Sequence, residues 1–315
     1  MKLLVSGTSG YIGGELVRLL CNDGHDVWSI GRTPVTIENG WVIKSIHADL
    51  RNPIERAECD FDCIVHVAGA NDVDSLSPKI ALESTVLTTR NMLAFANKQN
   101  CSRFLYVSTF QVYGMTEGII SETSVCRPVN DYALTHRFAE EWVELFGQSS
   151  DFRHVVARVA NISGVPARGS MKRWTLVPGC FCHQAVEDQK IVLKSSGNQL
   201  RDFLSLESVV ARLSDVITNF DDFAGAGLGG YVNICAGVSL SIAEIASLVA
   251  QRYEARFAKP CQVEVLSNMP EKRNNPLQVE SVFNQWNKKS KLTYQQAIDQ
   301  MIASIDQTLD HLGRG

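Results

Sequence analysis

Apolar residues fall into short runs separated by longer stretches at helical spacing. KLLVSG (2–7), HDVWSIG (25–31), WVIKSIHADL (41–50), FDCIVHVAGA (61–70), RFLYVST (103–109) and VVARVANI (155–162) are rich in β-branched and aromatic residues and read as strands. Between the first two, GGELVRLLCNDG (13–24) has an amphipathic helical pattern that stops at Gly24, and segments 79–98 and 131–147 repeat that pattern. Strand alternating with helix predicts an α/β, doubly wound parallel sheet covered on both faces. After about residue 165 the rhythm loosens, and Gly, Pro, Ser and basic residues punctuate 164–200. SIAEIASLVAQRY (241–253) and LTYQQAIDQMIASIDQTL (292–309) then predict two helices of a small C-terminal lobe interleaved with the main sheet. The division expected is 1–165 for the sheet domain and 166–315 for the lobe.

Composition narrows this picture only a little. A chain of 315 residues with 45% hydrophobic and 20% charged side chains is an ordinary globular protein. Thirty basic against thirty-four acidic residues leave a formal charge of −4 with no basic stripe, which argues against nucleic acid. The apolar run after Met1 ends at Val5, too short for a signal peptide, and no stretch is long enough to cross a membrane. Nine cysteines without a disulfide framework fit a reducing cytoplasm. Cys180-Phe-Cys182-His183 has too few ligands for a metal site, so no metal is expected.

The first chemical signal follows the first strand. Gly7-Thr-Ser-Gly10-Tyr11-Ile12-Gly13 places glycines at a strand-to-helix turn, where the backbone can bend sharply and approach a pyrophosphate. The helix N-terminus adds free N–H groups and a positive dipole end. The fold expected is therefore of Rossmann type, and Gly7, Gly10, Tyr11, Ile12 and Gly13 are candidate cofactor residues. The second strand ends Ile30-Gly31-Arg32 rather than in an acid. With no carboxylate to repel a 2′-phosphate and Arg32 able to pair with one, NADP is favoured over NAD. Asp49-Leu50 closes the third strand, where the aspartate can meet the adenine amino group.

Taken in order, these features resemble the extended short-chain dehydrogenase/reductases, the group of sugar-nucleotide epimerases, dehydratases and reductases. The likeness covers nearly the whole chain. It rests on the glycine turn, Asp49-Leu50, His66-Val-Ala68-Gly, Val107-Ser-Thr-Phe-Gln-Val-Tyr-Gly114, the tyrosine helix, Arg158-Val-Ala-Asn161 and Arg201-Asp-Phe203. The resemblance implies that Thr109 hydrogen-bonds the substrate oxygen and that Tyr132 transfers the proton. It places Ala68 beside the cofactor, Asn161 where substrate enters, and Arg201 and Arg273 on the nucleotide diphosphate. At Arg273 the family's following Gly-Asp is replaced by Asn274-Asn275. Lys172-Arg173-Trp174 lies in the segment that would fold over the substrate. A homodimer through helices 79–98 and 131–147 is a further implication.

One residue breaks the pattern. Tyr132 is followed four positions later by His136, where the family has a lysine. That lysine holds the nicotinamide ribose and lowers the tyrosine pKa. Spacing of four puts both side chains on one helix face. His136 can still offer a donor to the ribose, but with a reference pKa of about 6.5 it is mostly neutral at pH 7. Oxidising an alcohol needs tyrosinate, whereas reducing a ketone needs the protonated phenol. An epimerase runs both directions and a reductase only one. Thr85-Val-Leu-Thr-Thr-Arg-Asn91 also lacks the family's first asparagine and its glycine, and Phe110-Gln111 lacks the acid pair of the dehydratases.

The expectation is an NADP(H)-dependent reductase of a keto group on a nucleotide-linked sugar, with Thr109, Tyr132 and His136 catalytic. An NAD(P)-dependent epimerase is the second enzyme reading. A nucleotide-binding sensor without turnover is the competing class.

Overall fold

The first strand, β1 (Lys2–Ser6), shows how the sheet is built: Leu3 and Val5 join one hydrophobic core and Leu4 joins another. Side chains alternate across a strand, so a sheet buried on both faces needs apolar residues at consecutive positions. The structure is a computed structural model. It describes residues 1–34, 43–115, 117–148, 152–166, 176–224, 229–266, 276–282 and 294–311.

From β1 the chain enters α1 (Tyr11–Asn22) and returns through β2 (Asp26–Gly31) and β3 (Ser45–His47) to β4 (Cys63–His66). A helical run follows, made of α2 (Pro78–Ala81), a π-helical stretch (Leu82–Leu87) and α3 (Thr88–Lys98). Next come β5 (Arg103–Thr109), the short β6 (Gly118–Ile120), α4 (Asp131–Gly147) and β7 (Arg153–Val159). The remaining elements are β8 (Asn161–Ser163), α5 (Val177–Asp188), β9 (Lys190–Leu193), β10 (Leu200–Ser205), α6 (Leu206–Thr218), α7 (Phe220–Ala224), β11 (Tyr231–Ile234), β12 (Ser239–Ser241), α8 (Ile242–Phe257), β13 (Gln262–Val265), β14 (Leu277–Val279) and α9 (Tyr294–His311).

The main sheet has seven strands in the order β11-β7-β5-β4-β1-β2-β3, every neighbouring pair parallel. This is the expected doubly wound, Rossmann-type sheet. One face carries α1 and α6, with Leu16, Leu20, Val209 and Leu213 in its core. The other carries α3 and α4, with Met92, Phe95, Ala139 and Val143. A third core joins α5, α8 and α9 through Cys182, Ile245, Val249 and Ile302.

Three details differ from the sequence expectation. The run 155–162 is two strands, because the chain leaves the main sheet at Ala160 and β8 pairs with β10 in a separate three-stranded sheet. Within 41–50, strand geometry among the described residues is confined to Ser45–His47. The second half also returns to the main sheet through β11, a four-residue strand whose YVNI run was not expected as one.

Candidate active site

The glycine turn is built for close approach. Gly7 has φ +69°, and a Cβ there would lie 2.6 Å from the Ala68 nitrogen. A Cβ on Gly13 would lie 2.2 Å from the Gly7 carbonyl oxygen, so neither position tolerates a side chain. Gly10, the residue before α1, donates its N–H to the Gly7 carbonyl at 2.9 Å. The first turn of α1 holds no acidic residue and no side-chain cap, which leaves its N–H groups and dipole end available to an anion. These features fit a dinucleotide pyrophosphate.

Tyr11 is buried, with its hydroxyl donating to the Gly164 carbonyl at 2.6 Å, so it ties the turn to the loop after β8. Ile12 packs partly buried against the first core. Leu50 is buried in the second core, and Asn91 Nδ2 donates to its carbonyl at 2.9 Å. Asp49 is held by Arg51, a partner the sequence did not suggest. The guanidinium Nε lies 3.0 and 3.1 Å from the two carboxylate oxygens and Nη2 lies 2.5 Å from Oδ2. Hydrogen bonding to Arg51 holds the carboxyl at a pKa of about 2, and the Arg32 charge adds to the shift. Arg32 itself is exposed at the end of β2.

Thr109 ends β5 as a buried side chain, and its Oγ1 accepts from the Gln111 N–H at 3.2 Å, capping the following turn. Tyr132 lies in the first turn of α4, whose N-cap Asn130 accepts from Ala133 N–H at 2.8 Å. Successive turns of α4 then present Tyr132, His136 and Glu140. The rings of Tyr132 and His136 meet edge to face with centroids 4.7 Å apart.

His136 is buried at 6% exposure, and its Nδ1 lies 2.7 Å from the Tyr106 hydroxyl. Burial pushes its pKa down to about 4, against smaller upward effects of Glu140 and an Ala70 backbone hydrogen bond. The imidazole is therefore neutral at pH 7. Tyr106 lies on β5, and its ring stacks between His136 and His66 at 6.0 and 5.8 Å. Burial drives its phenol well above the ordinary range. His66 is fully buried and lowered to about 3 by burial and by His136. Arg137 does not stand in for the lysine: it pairs with Glu140 at 2.9 Å, with Glu141, and reaches the Tyr231 hydroxyl.

Among the residues expected to meet substrate, parallel pairing of β8 with β10 places Phe203 opposite Asn161, two residues from Arg201. Asn161 Nδ2 donates to the Asp202 carbonyl at 3.0 Å. Arg201 is half-buried, donates to the Leu200 carbonyl at 2.9 Å, and forms no ion pair with a carboxylate among the described residues. Burial lowers its pKa, as expected of a guanidinium lacking an anion. The adjacent Asp202 is sealed inside, accepting from Ala236 and Gly237 N–H at 2.7 Å each, with its carboxyl pushed up to about 6 by burial. Arg158 buttresses the sheet instead of facing substrate, bonded to Glu140 and Tyr113. Arg273 and Lys172-Arg173-Trp174 lie outside the described residues. Cys182 packs in the third core and His183 pairs with Glu187, and no metal cluster occurs among the described residues.

The NAD dependent epimerase/dehydratase family model matches residues 3–235, which take in the glycine turn, Thr109, Tyr132 and β11. The chain belongs to that family. A putative UDP-glucose 4-epimerase of Methanocaldococcus jannaschii is 24% identical over 276 residues, covering 84% of this chain and 87% of that protein. The GDP-6-deoxy-D-talose 4-dehydrogenase of Aggregatibacter actinomycetemcomitans is 27% identical over 262 residues, 80% of each chain. Among solved structures, the UDP-glucuronic acid 4-epimerase from Bacillus cereus in complex with NAD superposes with a TM-score of 0.78. It is 18% identical and covers 98% of this chain and 97% of that one, a likeness of fold.

Proposed function

We propose that the protein is an NADP(H)-dependent reductase of a keto group on a nucleotide-linked sugar. The observation that carries this reading is the neutral, buried His136 beneath Tyr132, with Tyr106 on one ring nitrogen. With a neutral ring at 136, Tyr132 lacks from that position the cation that would favour its tyrosinate form. It can donate to a developing alkoxide, as ketone reduction requires, and is a poor base for the reverse step. When bound at the glycine turn, the reduced nicotinamide supplies the hydride. In this reading Thr109 orients the keto oxygen and Tyr132 gives its proton. Arg201, with Asn161 on the neighbouring strand, is available to the sugar-nucleotide diphosphate.

The NADP preference rests on Arg32 together with Asp49, whose charge Arg51 already neutralises. Leu134, Phe138 and Leu145 are exposed on α4, and Ile80 and Leu87 are exposed on the neighbouring helical run, which supports a homodimer. All nine cysteines are free, which suits a reducing cytoplasm.

The test is NADPH consumption, followed by near-ultraviolet absorbance, over a panel of nucleotide-linked keto-deoxysugars, with Tyr132→Phe alongside. Turnover of one substrate, abolished by that change, is the expected result. An epimerase would interconvert nucleotide sugars without net NADPH loss, and a sensor would bind NADPH without consuming it. Either outcome would replace the reductase.

A further inference from the structure

The turn after β4 is clasped by hydroxyl groups that come from outside it. Ser6, the last residue of β1, has its Oγ 3.1 and 3.2 Å from the Val67 and Ala68 nitrogens. Thr85, from the π-helical stretch, has its Oγ1 3.0 Å from the Ala70 nitrogen. Three of the four N–H groups of Val67–Ala70 are thus given to two side chains.

The two clasps are joined behind the turn. An N–H only donates, so the pair from Val67 and Ala68 occupies both lone pairs of Ser6 Oγ. The serine proton therefore goes to His66 Nδ1, 2.7 Å away, and that nitrogen carries no proton of its own. An imidazole keeps at least one proton, so it sits on Nε2, 3.1 Å from Thr89 Oγ1. Thr89 in turn donates to the Thr85 carbonyl at 2.7 Å. One directed chain of hydrogen bonds, from Ser6 through His66 and Thr89 to Thr85, grips the turn at both ends. All four side chains are fully buried.

The front of the turn borders the glycine turn and His136. A Cβ on Gly7 would lie 2.6 Å from the Ala68 nitrogen and 2.8 Å from the Val67 carbonyl carbon, so the two turns are in backbone contact. Gly69 is exposed, and a Cβ there would lie 3.6 Å from His136 Cε1. The turn therefore spans from the glycine turn to the ring that packs on Tyr132. We propose that Ser6 and Thr85 are positioning residues for the dinucleotide: their hydroxyls, linked through His66 and Thr89, hold Val67–Ala70 against the glycine turn where the cofactor must fit. This rests on the dinucleotide site of the reading above and not on the direction of the reaction. Both residues are buried, so they act through the turn. The turn carries no charged side chain, so it serves NADPH and NADH alike.

Ser6→Ala and Thr85→Val in the full-length protein should each weaken NADPH and NADH by a similar factor, roughly tenfold in Kd read from quenching of protein fluorescence. Ser6→Thr, which keeps a hydroxyl, should bind both as the unmodified protein does. Nitrogen NMR of protein labelled at histidine adds a readout that needs no cofactor. His66 should show an unprotonated Nδ1 and a protonated Nε2. Its Nδ1 resonance should shift in Ser6→Ala, where its donor is gone, and stay in place in Thr85→Val. A merely structural role would lower the urea midpoint and leave both affinities of the folded variants unaltered, which would overturn the proposal. A protonated His66 Nδ1 would overturn it too. If Ser6→Ala does not fold, Thr85→Val and the spectrum of the unmodified protein decide. Unaltered affinities in a protein that reduces a sugar would leave the reductase standing. Weakened binding in the variants of a protein that reduces none would sink the reductase alone.

Discussion

Glu140 holds Arg158 through both carboxylate oxygens, Nε to Oε1 at 3.0 Å and Nη2 to Oε2 at 2.8 Å, with the two side chains 0% and 3% exposed. Glu140 lies one turn beyond His136 on α4, and Arg158 lies on β7. Ser108 Oγ on β5 adds a donor to Oε1 at 2.6 Å, and Arg137 one to Oε2 at 2.9 Å. The carboxylate therefore fixes the rotation of α4 against the two strands beside it, and with that the orientation of Tyr132, two turns earlier on the same helix. Removing one partner of a buried ion pair leaves the other charged in a poor solvent. Glu140→Gln should cost about 3–5 kcal/mol in urea unfolding. A loss under about 1 kcal/mol would mean that Arg158 finds another counter-charge.

The two buried histidines make stability depend on pH with a definite sign. In the unfolded chain each titrates near 6.5, whereas in the fold His136 stays neutral down to about 4 and His66 down to about 3. Below 6.5 the unfolded state binds protons that the folded state refuses, so stability falls as pH drops through that window. Each histidine contributes roughly 1.4 kcal/mol per pH unit there. Asp202 opposes them: its carboxyl is raised to about 6, so the fold holds a proton that the unfolded chain has released. Urea midpoints taken near pH 7 and near pH 5 should therefore show a net loss at the lower value. His66→Asn should flatten that dependence and Asp202→Asn should steepen it. A midpoint that rises toward pH 5 would contradict the neutral assignment of both histidines.

Restoring the family's residue tests what its absence does. His136→Lys would place an ammonium beside Tyr106 and beneath Tyr132. Each unit by which it lowers the tyrosine pKa raises the tyrosinate fraction about tenfold. The pH at which alcohol oxidation sets in, read from the pH profile of kcat in that direction, should move down by the same number of units. Stability should fall, because the pocket around position 136 is buried and built for a neutral ring. An unchanged pH profile in a folded variant would mean that position 136 does not set the tyrosine pKa.

The fold was legible because its signals are local. Strand and helix alternate at the expected spacings, and the glycine turn follows β1 directly. α6 carried equally clear signs, with Val209, Val210, Leu213, Val216 and Ile217 at helical spacing behind the capping Ser205, yet it begins without a linker after β10 and so went unread. β11 left almost no trace, because four residues show no period and only the edge of β7 makes them a strand. In the site, Thr109, Tyr132 and Arg201 stood out by residue type and order. The partners of His136 did not: Tyr106 reads as one more apolar strand position, and nothing local links it to a histidine 30 residues on. Arg51 was hidden for the opposite reason, since an exposed arginine two residues after an aspartate is unremarkable until its hydrogen bonds to both carboxylate oxygens are seen.

The proposed preference for NADP(H) rests on two arginines with different duties. Arg51 is committed to Asp49 by hydrogen bonds to both carboxylate oxygens, so the acid at the end of β3 presents little negative charge to an approaching phosphate. Arg32 at the end of β2 is exposed and close enough to add to the lowering of Asp49. A charge-assisted bond from a guanidinium to phosphate is worth about 1.5–3 kcal/mol, or roughly tenfold to a hundredfold in affinity. Arg32→Ser should weaken NADPH binding by that factor, measured by quenching of protein fluorescence, and leave NADH binding within about twofold. Arg51→Ser should act differently, freeing Asp49 to repel the 2′-phosphate and to accept from a ribose hydroxyl, which shifts preference toward NADH. If Arg32→Ser weakens both cofactors equally, the guanidinium serves a phosphate common to them and the preference for NADP(H) falls.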